Sequence, residues 1–207
     1  MLIVPELQTV FILVPRTGTG TLHREIRRVY PNAMLLYRHM EADGVPQGYD
    51  RWKRVGVVRH PLMRLESLYS FMKSFGGGSS VQHNADTLRV RTQVSRPFKD
   101  WLLNNEQPFT TPADLSGEGA YWPVLSKRDP SPENKRSQFS YLRPDLGTTL
   151  WRFEDLGIML REYGLDPTVI KNSSSDKSSN NGMCDPEIRE HIYRYCAWDL
   201  QQNCTML

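Results

Sequence analysis

The sequence predicts an α/β domain built on a central parallel β-sheet flanked by helices. Three observations predict it. Short β-branched and apolar runs alternate along the chain with stretches of helical period. The first clear run ends in a turn rich in glycine and threonine. A later run is followed almost at once by Pro61, and proline suits the first position of a helix.

The elements follow in order. Residues 9–14 (TVFILV) read as a buried strand. Residues 22–29 have a helical pattern, with Leu22, Ile26 and Val29 on one face; Thr19 or Thr21 suits the cap, and Pro31 and Asn32 stop the helix. Residues 33–37 (AMLLY) read as a second strand, 41–50 as a loop and 54–59 (RVGVVR) as a third strand. The helix opened by Pro61 carries Leu62, Leu65, Leu68, Tyr69 and Met72 and ends in the glycine and serine tract at 76–80. Residues 76–95 look flexible or inserted. A short helix is expected over 97–104, and 107–132 has no clean period. A late strand over 148–153 leads into a helix over 154–163 closed by Gly164. A polar stretch at 172–182 precedes a final amphipathic helix over 186–203.

With 207 residues and 39% hydrophobic content, the chain suits one domain spanning 1–207. Its 26 basic and 23 acidic residues leave a net charge of +3, too balanced for nucleic-acid binding as the main task. The N-terminus lacks a positively charged start, and Pro5, Glu6 and Gln8 interrupt its apolar part, so it reads poorly as a signal peptide. No apolar run approaches the roughly 18 residues of a membrane span. The expectation is a soluble, cytoplasmic protein. The three cysteines, Cys184, Cys196 and Cys204, then favour reduced thiols. On one helix Cys196 and Cys204 would stand about 12 Å apart along the axis, too far for a disulfide. No Cys/His cluster has zinc-ligand spacing, so no metal is expected.

Two segments carry chemistry. The first is Pro15-Arg16-Thr17-Gly18-Thr19-Gly20-Thr21, between a strand and a helix. Glycines let backbone N–H groups approach an anion, and the helix N-terminus adds partial positive charge. Threonine hydroxyls donate further hydrogen bonds, and Arg16 offers a permanently charged fork. An ordinary strand-to-helix turn is the plainer alternative. A P-loop nucleotide triphosphatase needs Gly-Lys-Ser/Thr at the loop end, where Gly20-Thr21-Leu22 stands, and this argues against ATP hydrolysis.

The second is Arg59, at the C-terminal end of the third strand, with Ser67 about two turns into the following helix. Ligands of open α/β sheets bind outside the carboxyl ends of strands, so Arg59 faces the same edge as the Arg16 turn. Arg59 and Ser67 together suit a second phosphate; a surface arginine and a packed helix serine are the alternative. Arg64 either supports this site or pairs at the surface with Glu66 or a nearby loop.

Together these segments resemble the family of sulfotransferases that use 3'-phosphoadenosine-5'-phosphosulfate (PAPS). VPRTGTGTL resembles the family's 5'-phosphosulfate loop, and VVRHPLMRLESLYSF resembles its 3'-phosphate motif. The RHP form is similar to carbohydrate and bacterial members. Further along, QFSYL at 138–142, WRFEDL at 151–156 and KNSSS at 171–175 follow in the family order. The chain departs from the usual pattern with Arg16 where lysine is common and His60 where aspartate or asparagine is common.

The resemblance implies a P-loop-like sulfotransferase fold and transfer of a sulfuryl group from PAPS to an acceptor hydroxyl, with carbohydrate the first candidate. It implies that Arg16 and Thr17, with the N–H groups of Gly18, Thr19, Gly20 and Thr21, bind the 5'-phosphosulfate, while Arg59 and Ser67 bind the 3'-phosphate. For the base, His39 in LLYRHMEA resembles the strand-end histidine of uronyl 2-O-sulfotransferases; Glu41 competes, since other sulfotransferases use glutamate. His60 is structural or a helper beside the donor, and His23 and His191 need no special role. Gln138 and Tyr141 line the donor or acceptor pocket or fill the core. Asn172 to Ser175 close over the adenosine or form a plain polar loop. Trp122 and Trp151 stack on sugar, or, for Trp151, pack in the core. Two other classes stand beside the sulfotransferase: a nucleotide kinase-like phosphotransferase, and a non-catalytic anion- or partner-binding module on the same fold.

Overall fold

The computed structural model describes residues 1–36, 39–74, 95–103, 137–169 and 183–204. The expected insertion at 76–95, but for its last residue, Ser95, lies outside the described residues, as do the aperiodic segment 107–132, Trp122 and the polar stretch 172–182.

Among the described residues, five strands form one sheet in the order β3-β1-β2-β4-β5. They are β1 (Leu2–Val4), β2 (Thr9–Ile12), β3 (Met34–Leu35), β4 (Lys53–Val58) and β5 (Thr149–Arg152). β2, β4 and β5 run parallel, with Ile12 opposite Gly56 and Val58 opposite Arg152. β1 is antiparallel to both β2 and β3, so the sheet is mixed rather than parallel as expected. The reason is local. One 3-10 turn at Pro5–Leu7, closed by Gln8 at φ 47°, reverses the chain between β1 and β2. A parallel neighbour would need a crossover of about a dozen residues or more, and four residues leave only the antiparallel pairing.

Strand alternation sends side chains to both faces. Phe11 and Leu13 pack with Leu2, Val55 and Val57 against α1 (Thr19–Val29), and beyond it against Leu156, Met159 and Leu160 of a helix described below. Val10, Ile12 and Val14 face the other way, toward Met1, Ile3, Leu36, Met40, Tyr141 and Leu142. The buried β2 flanked by two layers is the expected α/β arrangement.

After β4 comes α2 (Pro61–Ser74), opened by proline as its sequence predicts. Leu62, Leu65, Leu68 and Tyr69 pack against α3 (Phe98–Leu103), whose Trp101 and Leu102 are fully buried. A single turn, α4 (Phe139–Leu142), lays Leu142 over β4. After β5, a 3-10 turn at Phe153–Asp155 precedes α5 (Leu156–Glu162), so Glu154 lies ahead of the helix and not in it. Gly164 at φ 65° ends α5, with Leu165 N–H donating to Leu160 O at 2.8 Å. The last helix, α6 (Pro186–Cys204), brings Ile188, Ile192 and Cys196 onto α2 and α3, and bends at Cys196. Cys184 is exposed and Cys196 is buried. No helix among the described residues is long and apolar enough to cross a membrane.

α4 can approach β4 this closely because residue 56 is glycine: a Cβ there would overlap Leu142 Cδ2. Leu142 is 0% exposed and has nowhere to withdraw. Gly56→Ala is therefore expected to destabilise the fold by about 1–3 kcal/mol through overpacking. Urea unfolding checks this as a lower midpoint at unchanged slope.

Candidate functional site

The site lies where β2 and β4 end. Leu13, Val14 and Pro15 carry β2 into the turn while still buried. Arg16 follows at φ 70°, an uncommon conformation for a residue with a Cβ. The chain around it holds it there. Thr17 donates to Val14 O through both its N–H, at 3.4 Å, and its hydroxyl, at 3.0 Å. Arg59 Nη1 donates to the Arg16 carbonyl at 3.2 Å.

Gly18 ends the turn and caps α1 at φ 80° and ψ 13°, with no side-chain cap. The cap is thus Gly18, not the expected Thr19 or Thr21. The positive φ suits glycine, and a Cβ would stand 2.7 Å from Leu156 Cδ2. α1 therefore starts one residue earlier than a threonine cap at 19 allows. The amides of Thr19, Gly20 and Thr21 become first-turn donors, which have no acceptor inside the helix. Gly20 is exposed and has no heavy atom within 4 Å of where a Cβ would stand, so its backbone is open to approach. Thr17 is different: it is 1% exposed and its hydroxyl is engaged with Val14, leaving its side chain a structural task.

Arg16 and Ser67 meet directly, Nε donating to Oγ at 3.1 Å. The Arg16 guanidinium also lies 4.4 Å from the Phe71 ring centre, one turn further along α2. Arg59, 5% exposed, stacks 4.5 Å from the Phe153 ring centre. Burial and the charge of Arg59 both hold the Arg16 pKa below its ordinary value. Arginine stays protonated even so, which leaves two positive charges close together at one sheet edge. Among the described residues, no carboxylate pairs with Arg16.

His39 comes to the same edge by a different route. Its Nδ1 lies 2.6 Å from Leu13 O, just before the turn. A carbonyl only accepts, so the proton sits on Nδ1 and the basic lone pair on Nε2. Glu41 is 7% exposed, and its carbonyl accepts from Gly44 N–H at the 3-10 turn Ala42–Gly44.

The other expected residues divide clearly. Arg64 is fully buried on α2 and faces the carboxylate of Asp199, not a surface partner. Tyr141 is 1% exposed in the core, and Trp151 packs against the cluster shared by α1 and α5. Gln138 is buried behind Arg59. Three contributors were not singled out beforehand: Phe71, Phe153 and Asp199. Asp199 left a signal, because it follows Ile188, Ile192 and Cys196 at helical spacing on the inward face of the final helix.

A scan against protein-family models, a search of curated proteins and a search of solved structures each found no match.

Next to Arg59, burial holds the His60 pKa below its ordinary 6.5, with Glu154 opposing. Above the ordinary value both folded and unfolded chains carry a neutral imidazole there. As the pH falls below it, the unfolded chain takes up the proton first, so stability falls until the lowered native pKa is passed. Urea midpoints measured at about pH 7.5 and pH 5.5 should show this loss, and His60→Gln should remove its share.

Proposed function

We propose that the protein is a sulfotransferase that moves a sulfuryl group from PAPS to an acceptor hydroxyl. One observation carries it: half-buried Arg16 and buried Arg59, whose charges repel, meet at the carboxyl ends of β2 and β4 beside the open first turn of α1. Such an arrangement favours a multiply charged anion. The motifs around it supply the choice of PAPS. The fold proposed with it is the P-loop-like sulfotransferase fold, with β2, α1, β4 and α2 forming the donor-binding half. The compartment proposed with it is a reducing one such as the cytoplasm, which the odd cysteine count suits. The acceptor proposed first is a carbohydrate.

The residues take these roles. The amides of Gly18 to Thr21 and the Arg16 guanidinium bind the 5'-phosphosulfate. Arg59 and Ser67 bind the 3'-phosphate. Ser67 accepts from Arg16 through its oxygen lone pair, so its own proton remains to donate to a phosphate oxygen. His39 Nε2 takes the proton of the acceptor hydroxyl, and Glu41 is the alternative base. The acceptor oxygen bonds to sulfur as the bond from sulfur to the phosphate oxygen breaks, and Arg16 offsets the charge growing on that oxygen. The products are the sulfate ester, 3'-phosphoadenosine-5'-phosphate (PAP) and the proton held on the base.

Incubation with labelled PAPS and a panel of glycan, lipid and small-molecule hydroxyl acceptors tests the activity. Label on a glycan supports the proposal, and binding without transfer to any acceptor points to the non-catalytic module. Arg59→Ala should raise the KM for PAPS by about tenfold to a hundredfold, the worth of a charged hydrogen bond. His39→Ala should lower kcat by about a hundredfold or more while leaving PAP affinity nearly unchanged. Full turnover in His39→Ala would move the base to Glu41.

A further inference from the structure

Behind Arg59 runs a buried polar chain that none of these roles uses. Gln138 and Asp199 are both 0% exposed. The Gln138 side-chain amide faces the Arg59 backbone. Arg59 N–H donates to Gln138 Oε1 at 2.9 Å, and Gln138 Nε2 donates to Arg59 O at 2.7 Å. A neighbouring strand would make a similar pair of bonds. β5 stops opposite Val58, so the Gln138 side chain extends the pairing of β4 by one residue, to Arg59.

Asp199 decides which way that amide faces. Gln138 Nε2 also donates to Asp199 Oδ2 at 3.1 Å. A flipped amide would set its oxygen against both Asp199 and the Arg59 carbonyl. Asp199 is held in turn by Gln138 N–H, at 2.9 Å and 3.1 Å to its two oxygens, and by the Ser137 hydroxyl at 2.7 Å. Burial pushes the Asp199 carboxyl above its ordinary range, while Arg64, Ser137 and Gln138 oppose that shift. Arg64, also 0% exposed, supplies the facing positive charge.

We propose that Asp199 and Gln138 are positioning residues for Arg59, so that α6, at the far end of the sequence, sets where the guanidinium stands at the anion site. Arg59 lies one residue past its strand, where the ladder no longer holds the backbone. A small displacement of its Cα swings the whole side chain, and misplacement of about 1 Å in a binding group is costly. Arg64 matches the charge of Asp199, so that carboxylate is balanced from α2. The inference rests on the donor-binding role given to Arg59 above.

The test uses the full chain with Gln138→Met and Asp199→Asn, at a temperature where circular dichroism shows each variant folded. Asp199→Asn removes a negative charge that faces Arg64 and is at risk of not folding. Gln138→Met keeps that pair and holds the test open. Three quantities are read: KM for PAPS, kcat at saturating PAPS, and hydrogen exchange of the Arg59 amide. The expected result is a KM raised about tenfold, as for outer-shell partners elsewhere, with kcat nearly constant and faster Arg59 exchange. A purely structural role would lower the melting temperature and leave KM of the folded variant at the wild-type value, and that result overturns the inference. If the wild-type protein neither binds PAP nor transfers sulfate, the functional proposal fails on its own. The exchange data then decide the inference alone: faster Arg59 exchange in folded Gln138→Met supports it, and unchanged exchange ends it.

Discussion

Arg59 reaches back across the sheet edge to the carbonyl of Arg16, and the chemistry of the site depends on that contact. It joins the ends of β2 and β4 through a charged hydrogen bond. It also helps to hold Arg16 in its positive-φ conformation, where the backbone alone would not keep it. The cost is that two guanidinium groups share one small region, each laid against a phenylalanine. Aromatic faces offset part of that repulsion. An anion between the arginines would offset more, which is why the contact points beyond structure toward binding.

The surroundings are organised to keep these charges in place. Ser67 fixes Arg16 from α2, and Gln138 fixes the Arg59 backbone from the turn before α4. Asp199 lies one shell further out, with Arg64 opposite it. Polar groups this deeply buried are stable only when hydrogen-bonded, and the bonds on Gln138 and Asp199 meet that demand. Breaking a buried pair by removing one partner is costly. Cooperation between α2, α4 and α6 around one strand end is therefore a constraint on the fold as well as on the site.

Much of this sheet edge was legible in the sequence because its signals are local. The run ending at Arg59, Pro61 behind it and Ser67 two turns on fix a strand, a helix and a shared face without knowledge of distant residues. Arg16 likewise follows its strand within a few positions, and parallel neighbours bring both strand ends to one edge. What escaped depended on pairing across the chain. β1 is only three apolar residues cut short by Pro5, and its place between β2 and β3 comes from a tight reversal that mimics a break. The cap of α1 went to Gly18 over threonine because Leu156, far along the chain, packs where a side chain would stand. Arg64 stayed open between supporting the site and pairing at the surface because the carboxylate it faces is on the last helix. His39 was legible as a polar residue after a strand, but its bond to Leu13 O, which sets its tautomer, was not.

In the proposed function, two arginines and a helix end form one site for an adenosine carrying charge at both its 3' and 5' positions. Calorimetric titration with PAP and with 5'-AMP at matched ionic strength tests it most directly. PAP is expected to bind about a hundredfold tighter, because only PAP presents a second phosphate to Arg59 and Ser67. Equal affinities, or no binding of either nucleotide, would contradict it.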